Sequence, residues 1–127
     1  MNRKQSLSTH AAPEAIGTYS QAIKVDSTIY ISGQIPLDPS TMELVGPDID
    51  SQINQVLKNL EAVCRSAGGE LDSIVKFTVY LINLEYSAKV NTIMQEFLNE
   101  PYPARAAVEV VALPKGAQIE IDAIMVV

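Results

Sequence analysis

The last quarter of the chain, from Pro103 to Ile124, holds two runs of period-two alternation on either side of Leu113-Pro-Lys-Gly116. Alternation sends successive side chains to opposite faces of an extended strand, so the chain must build a sheet with two unlike faces. Proline presets φ at the first central turn position and Gly116 supplies a position free of Cβ strain, which reverses the chain between the runs. Arg105, Ala107 and Glu109 share one face of the first run, and Ala106, Val108 and Val110 share the other. In the second run Glu120 and Asp122 oppose Ile119 and Ile121. The pattern predicts a terminal hairpin with Arg105 and Glu120 together on its polar face.

The remaining elements follow from similar patterns. Residues 1–17 read as an extended arm and a loop. Strands are expected over Thr18–Val25 and Thr28–Gln34, joined tightly through Asp26-Ser27. Gly33, inside Ile31-Ser-Gly-Gln-Ile-Pro36, marks a bulge or a place where another group approaches the backbone closely. After a turn-rich loop over 37–47, a helix starts with Asp50 or Ser51 as its cap. Its stripe is Ile53, Val56, Leu57, Leu60, Val63, Cys64 and Ala67, and Gly68-Gly69 ends it. A strand over Ile74–Ile82 has Val75, Phe77, Val79 and Leu81 as its apolar face, opposed by Lys76, Thr78 and Tyr80. A second helix, from about Tyr86 to Asn99, turns Tyr86, Val90, Ile93, Met94 and Phe97 inward. Two amphipathic helices can cover only one face of the sheet, so the fold expected is α+β, its other face either wet or buried against a second subunit.

With 127 residues, 47% of them apolar and 19% charged, the chain predicts one domain over 1–127 with a proper core. A net charge of -6 provides no broad basic footprint for nucleic acid or anionic membrane. Cys64 is the single cysteine; it cannot form an intramolecular disulfide and lies on the first helix's apolar stripe, as inert packing. His10, the single histidine, reads as a solvated loop residue rather than a metal ligand. No apolar run is long enough to cross a bilayer or serve as a signal, and the Asn2–Ser8 segment is only faintly like a transit sequence; the reading is cytoplasmic. No metal-ligand spacing, glycine-rich phosphate loop or nucleophile with its base is present.

Single residues leave alternatives open. Arg105 offers a planar fork of donors suited to a carboxylate, or a salt bridge to Glu109 or Asp122. Glu120 can hold water as a general base, or sit on a wet sheet. On pattern alone Tyr19 reads as an ordinary strand aromatic, and Asn91 as a polar residue bordering the helix stripe.

Pro103-Ala-Arg105, Val108-Glu-Val110, Leu113-Pro114 and Ile119-Glu-Ile-Asp-Ala-Ile124 resemble the signature of the RidA/YjgF family of imine deaminases. Gly17-Thr-Tyr-Ser-Gln-Ala22 and Ile31-Ser-Gly-Gln-Ile-Pro36 extend the likeness to the other end. The resemblance implies a chorismate-mutase-like single mixed sheet with two helices on one face, assembled as a homotrimer with pockets between subunits. It implies a 2-iminobutanoate/2-iminopropanoate deaminase that turns imines or enamines such as 2-aminoacrylate into 2-keto acids and ammonia without metal or organic cofactor. Arg105 would then anchor the substrate carboxylate and Glu120 would activate water. Tyr19, Ser32, Gly33 and Asn91 would line the pocket, with backbone N–H groups near Ser32 and Gly33 assisting. Three features depart from the family: Thr18 in place of proline, Ala107 in place of cysteine or threonine, and a shorter link between Asn99 and Pro103. Ala107 removes a polar wall from the implied pocket and points to altered substrate preference; Thr18 bears on the turn that presents Tyr19, and the shorter link on the placement of Asn91. The rival readings are a non-catalytic module that binds small carboxylates or amino acids, and an RNA-cleaving translation inhibitor; the negative charge weighs against the second.

Overall fold

The computed structural model describes residues 3–127, so the first two residues of the expected arm lie outside it. Six strands form one sheet in the order β1-β2-β3-β6-β4-β5. They are β1 (Gln5–Leu7), β2 (Ala22–Val25), β3 (Thr28–Gln34), β4 (Ile74–Leu81), β5 (Ala104–Glu109) and β6 (Ile119–Val126). Neighbours run antiparallel except β4 and β5, which are parallel, so the sheet is mixed. Two helices, α1 (Ile49–Ser66) and α2 (Ser87–Phe97), complete the α+β fold.

The core lies between one sheet face and the helices. Ile29, Ile31, Phe77, Val79, Leu81, Ile119, Ile121 and Met125 project into it and meet Ile53, Val56, Leu57, Leu60, Val63 and Cys64 of α1 and Val90, Ile93 and Met94 of α2. The cap of α1 is Asp48, whose carboxylate accepts from the Ser51 N–H at 3.0 Å. The helix therefore starts just before the expected Asp50 or Ser51, and Asp50 falls in its first turn, where a negative charge suits the helix dipole. Its end is as expected: Gly68 takes φ 87, and the Gly69 N–H returns to the Cys64 carbonyl at 3.0 Å.

The terminal hairpin does not form. The chain does reverse at the Leu113–Gly116 turn, where Lys115 and Gly116 take positive φ, but β4 lies between β5 and β6. The reason is the preceding β4–α2–β5 unit: a strand, a crossover helix and a second strand pack back on the sheet as parallel neighbours. The β5–β6 connection then passes over the end of β4, held there by Val110 N–H to Leu81 O at 2.8 Å and Ile82 N–H to Gln118 O at 3.2 Å.

Two other strands differ locally. In β4 a bulge between Ile74 and Lys76 leaves Ile74 buried and Val75 exposed, whereas strict alternation put Val75 in the core. Strand β2 starts at Ala22, not Thr18. The buried Gln21 amide donates to the carbonyls of Thr9 at 3.0 Å and Pro13 at 2.8 Å and accepts from the Thr9 N–H at 2.7 Å. Those bonds tie the segment before Ala22 to the N-terminal loop, and Tyr19 therefore stands in a loop.

Candidate functional site

The register decides which face each candidate residue occupies. Arg105 is level with Phe77, and Ala107 with Val79, so both point to the helix side of the sheet. Glu120 is level with Tyr80 and Asp122 with Thr78, on the open side. Arg105 and Glu120 are thus on opposite faces, contrary to the single polar face the alternation predicted. Local periodicity fixes faces within one strand; relative phase across strands is set by pairing, and the parallel β4–β5 pairing turns Arg105 toward α2.

On the helix side, Arg105 belongs to an edge strand and is exposed. Its Nη1 donates to Asn91 Oδ1 of α2 at 3.3 Å and approaches Met94 Sδ at 3.7 Å. Neither expected ion pair forms: the Glu109 carboxylate accepts from the Leu84 N–H at 2.9 Å, and Asp122 is on the other face. The guanidinium borders a cavity of about 270 Å³ between α2 and the link into β5. Tyr102 and Met94 line that cavity. Sequence reading missed both, since Met94 looks like any core methionine and Tyr102 sits in an aperiodic Pro-Tyr-Pro.

On the open side the sheet is bulged where Gly33 lies. Ile31 is opposite Ala123 and Gln34 opposite Ile121, so Ser32 and Gly33 together face the single residue Asp122. The side chain of Glu120 crosses this bulge. A Cβ on Gly33 would stand 2.8 Å from Glu120 Cδ, a distance real contacts do not show, so the glycine marks both a bulge and a close approach. Ser32 Oγ donates to the Ser20 carbonyl at 2.6 Å, and the Ser32 N–H to the Gln21 carbonyl at 3.0 Å. The Ser32 N–H is thus already engaged within the chain. Those bonds hold the loop of Tyr19 beside the bulge; the Tyr19 ring is exposed and packs over Gly17, and its hydroxyl accepts from the Ile16 N–H at 3.4 Å.

Burial first, and then the charge of Asp122, push the Glu120 carboxyl above the ordinary glutamate range. Asp122 in turn accepts from the Tyr80 hydroxyl at 2.9 Å. A half-buried carboxyl whose charged form is disfavoured in this way is suited to take and return a proton. Among the described residues no three of His, Cys, Asp and Glu converge to hold a metal ion, and no helix is long and apolar enough to cross a membrane.

The structure therefore groups Arg105 with Asn91 on one face and Ser32, Gly33 and Glu120 on the other, with the loop that carries Tyr19 tied to Ser32 through Ser20 and Gln21. The family model described as Endoribonuclease L-PSP matches residues 9–127. The human protein named 2-iminobutanoate/2-iminopropanoate deaminase is 45% identical over 123 residues, covering 97% of this chain and 90% of its own. The crystal structure of RidA from the Antarctic bacterium Psychrobacter superposes with a TM-score of 0.93 at 50% identity, over 97% of this chain and 99% of its own. That of E. coli TdcF with bound serine superposes with a TM-score of 0.90 at 35% identity, over 97% and 98%. With a match of this extent in both sequence and fold, the chain belongs to the RidA/YjgF family.

Proposed function

We propose that this chain is a deaminase that hydrolyses the imines of short 2-amino acids, including those reached from enamines such as 2-aminoacrylate, to 2-keto acids and ammonia. The human relative's name supports the reaction class, and the observation that carries the reading is the half-buried Glu120 carboxyl poised over Gly33. The chain works as one domain, in the cytoplasm, as a homotrimer. An arginine on one face and a carboxylate on the other cannot meet within one subunit, so a shared pocket needs the Arg105 face of one copy against the Glu120 face of the next. The open face suits burial: Tyr30 and Val108 are large, apolar and exposed there, with Ile124 between Tyr30 and Lys76.

In the mechanism, the substrate carboxylate docks on the Arg105 fork, with Asn91 holding the guanidinium in place. Protonation of an enamine at its terminal carbon gives the imine. Glu120 takes a proton from water as its oxygen adds to the imine carbon, forming a carbinolamine. The same carboxyl returns the proton to nitrogen and then accepts the hydroxyl proton as the C–N bond breaks, so that ammonia leaves and the keto acid remains. Free imines already hydrolyse in water, so orientation and one acid–base contact suffice for the acceleration.

The test is keto-acid release from freshly generated 2-aminoacrylate and 2-iminobutyrate. Acceleration by the native protein that falls at least about a hundredfold in both Arg105→Ala and Glu120→Ala supports the reading. A second reading, a binding module for small amino acids, draws on the serine in the TdcF structure. It predicts no acceleration over buffer and ligand binding that needs Arg105 but tolerates Glu120→Ala. RNA cleavage, which the family model's description suggests, fits less well, because Glu120, Asp122 and the net charge of -6 repel a phosphate backbone.

A further inference from the structure

We infer that the cavity beside Arg105 is a side-chain pocket, which makes this chain prefer 2-imino acids with longer apolar side chains, of the leucine and methionine type, over the three- and four-carbon ones. The inference rests on the reading of Arg105 as carboxylate anchor and adds the substrate class.

The cavity measures about 270 Å³. A water molecule occupies roughly 30 Å³ of liquid, so the space is several times what the methylene of 2-aminoacrylate would fill. Its lining is more apolar than polar, with Asn91, Gln95 and Arg105 as the polar side chains. Phe77, fully buried, is level with Arg105 on the neighbouring strand and supplies the floor; Met94 and Leu98, 3% and 7% exposed, supply the α2 wall. Tyr102 and Pro103 form the rim. The single cationic group on the wall is Arg105, whose Nη1 lies 3.7 Å from Met94 Sδ. A carboxylate on the guanidinium would therefore have apolar volume immediately beside it, which is the polarity of an amphiphilic imino acid and not of a small polar one.

The pocket is also preformed. Asn99, which begins the short link to β5, donates its N–H to Asp72 Oδ1 at 3.0 Å and its side-chain amide to Asp72 Oδ2 at 2.8 Å. That double tie fixes the link on the turn before β4 and holds Tyr102 and Pro103 over the opening. A ligand entering such a site does not have to order its walls.

The experiment measures binding of the stable product acids, pyruvate and 4-methyl-2-oxopentanoate, by calorimetry, and then kcat/KM for the corresponding imines. Each buried methylene is worth about fourfold in affinity, so the longer acid should bind at least about tenfold more tightly. Gln95 lines the cavity from an exposed position on α2, so Gln95→Trp can fill it without disturbing the core. That variant should reduce the preference to about twofold, and Tyr102→Ala should weaken it several-fold. Equal binding of the two acids by the native protein, or a preference that persists in Gln95→Trp, overturns the inference. A preference that needs the open cavity, without any acceleration of imine hydrolysis, upholds the pocket and overturns the deaminase reading instead.

Discussion

Arg105 and Glu120 project from opposite faces of one sheet, with β4 between their strands. If catalysis needs both, each site takes Arg105 from one subunit and Glu120 from its neighbour. Arg105→Ala and Glu120→Ala should then be inactive alone and complement when unfolded together and refolded as a mixture. With random assembly about a quarter of the sites carry both native residues, so the mixture should recover about a quarter of native activity. Recovery no greater than the sum of the two separate variants would exclude a shared site.

A side chain at Gly33 should displace the Glu120 carboxyl. The Gly33 backbone is not in the left-handed region, so the cost of Gly33→Ala arises from the collision with Glu120 and not from φ. The expected result is a loss of about a hundredfold in kcat/KM with a small drop in Tm. Adding Glu120→Ala should restore Tm and leave activity absent. Unchanged kinetics in Gly33→Ala would show that Glu120 is free to move without consequence.

The raised pKa of Glu120 has two measurable effects. Burial and Asp122 favour the neutral carboxyl in the folded protein, so this group costs nothing below the ordinary glutamate value of 4.5. Stability is lost as pH rises from that value through the folded-state pKa, because the unfolded chain ionises first. Glu120→Gln should therefore raise Tm at pH 7 and leave it unchanged at pH 4. The acid limb of the kcat/KM profile should lie above the usual carboxylate range, and Asp122→Asn, which removes the neighbouring charge, should move it downward. A limb that stays in place in Asp122→Asn would assign it to another group.

Asn59 is fully buried and donates to the carbonyls of Leu37 at 3.0 Å and Ile35 at 3.3 Å, pinning the loop that leaves the β3 bulge onto α1. Asn59→Ala strips the Leu37 carbonyl of its donor in a buried setting, while the Ile35 carbonyl keeps the Leu37 N–H. The cost should be about 2–3 kcal/mol, seen as a fall in Tm of about 8 °C. A fall under about 2 °C would mean that water replaces the amide.

Cys64 is fully buried, and burial pushes its thiol up to about 12, with Glu61 adding to the effect. It should resist iodoacetamide at pH 8 in the folded protein and react fully once unfolded. Labelling of the native protein within minutes would show that α1 opens locally.

Much of this fold can be read along the chain because the signals are local. The α1 stripe from Ile53 to Cys64, its glycine stop, the tight turn at Asp26-Ser27 and the special role of Gly33 each depend on neighbours within a few residues. The motifs around Arg105 and Glu120 likewise pointed to the family. What could not be read is how those pieces are phased against one another. The bulge that turns Val75 outward, the Asp48 cap and the loop of Tyr19 each depend on a single bond or an extra residue that leaves no periodic trace.

The sequence by itself determined an α+β chain with a two-faced sheet, two helices for one of those faces, and an arginine and a glutamate as candidate site residues. Only the tertiary structure decided that these two residues stand on opposite faces. The crossover through α2 places β5 parallel to β4, and strand pairing, unlike alternation, is a long-range choice that no window of local sequence contains.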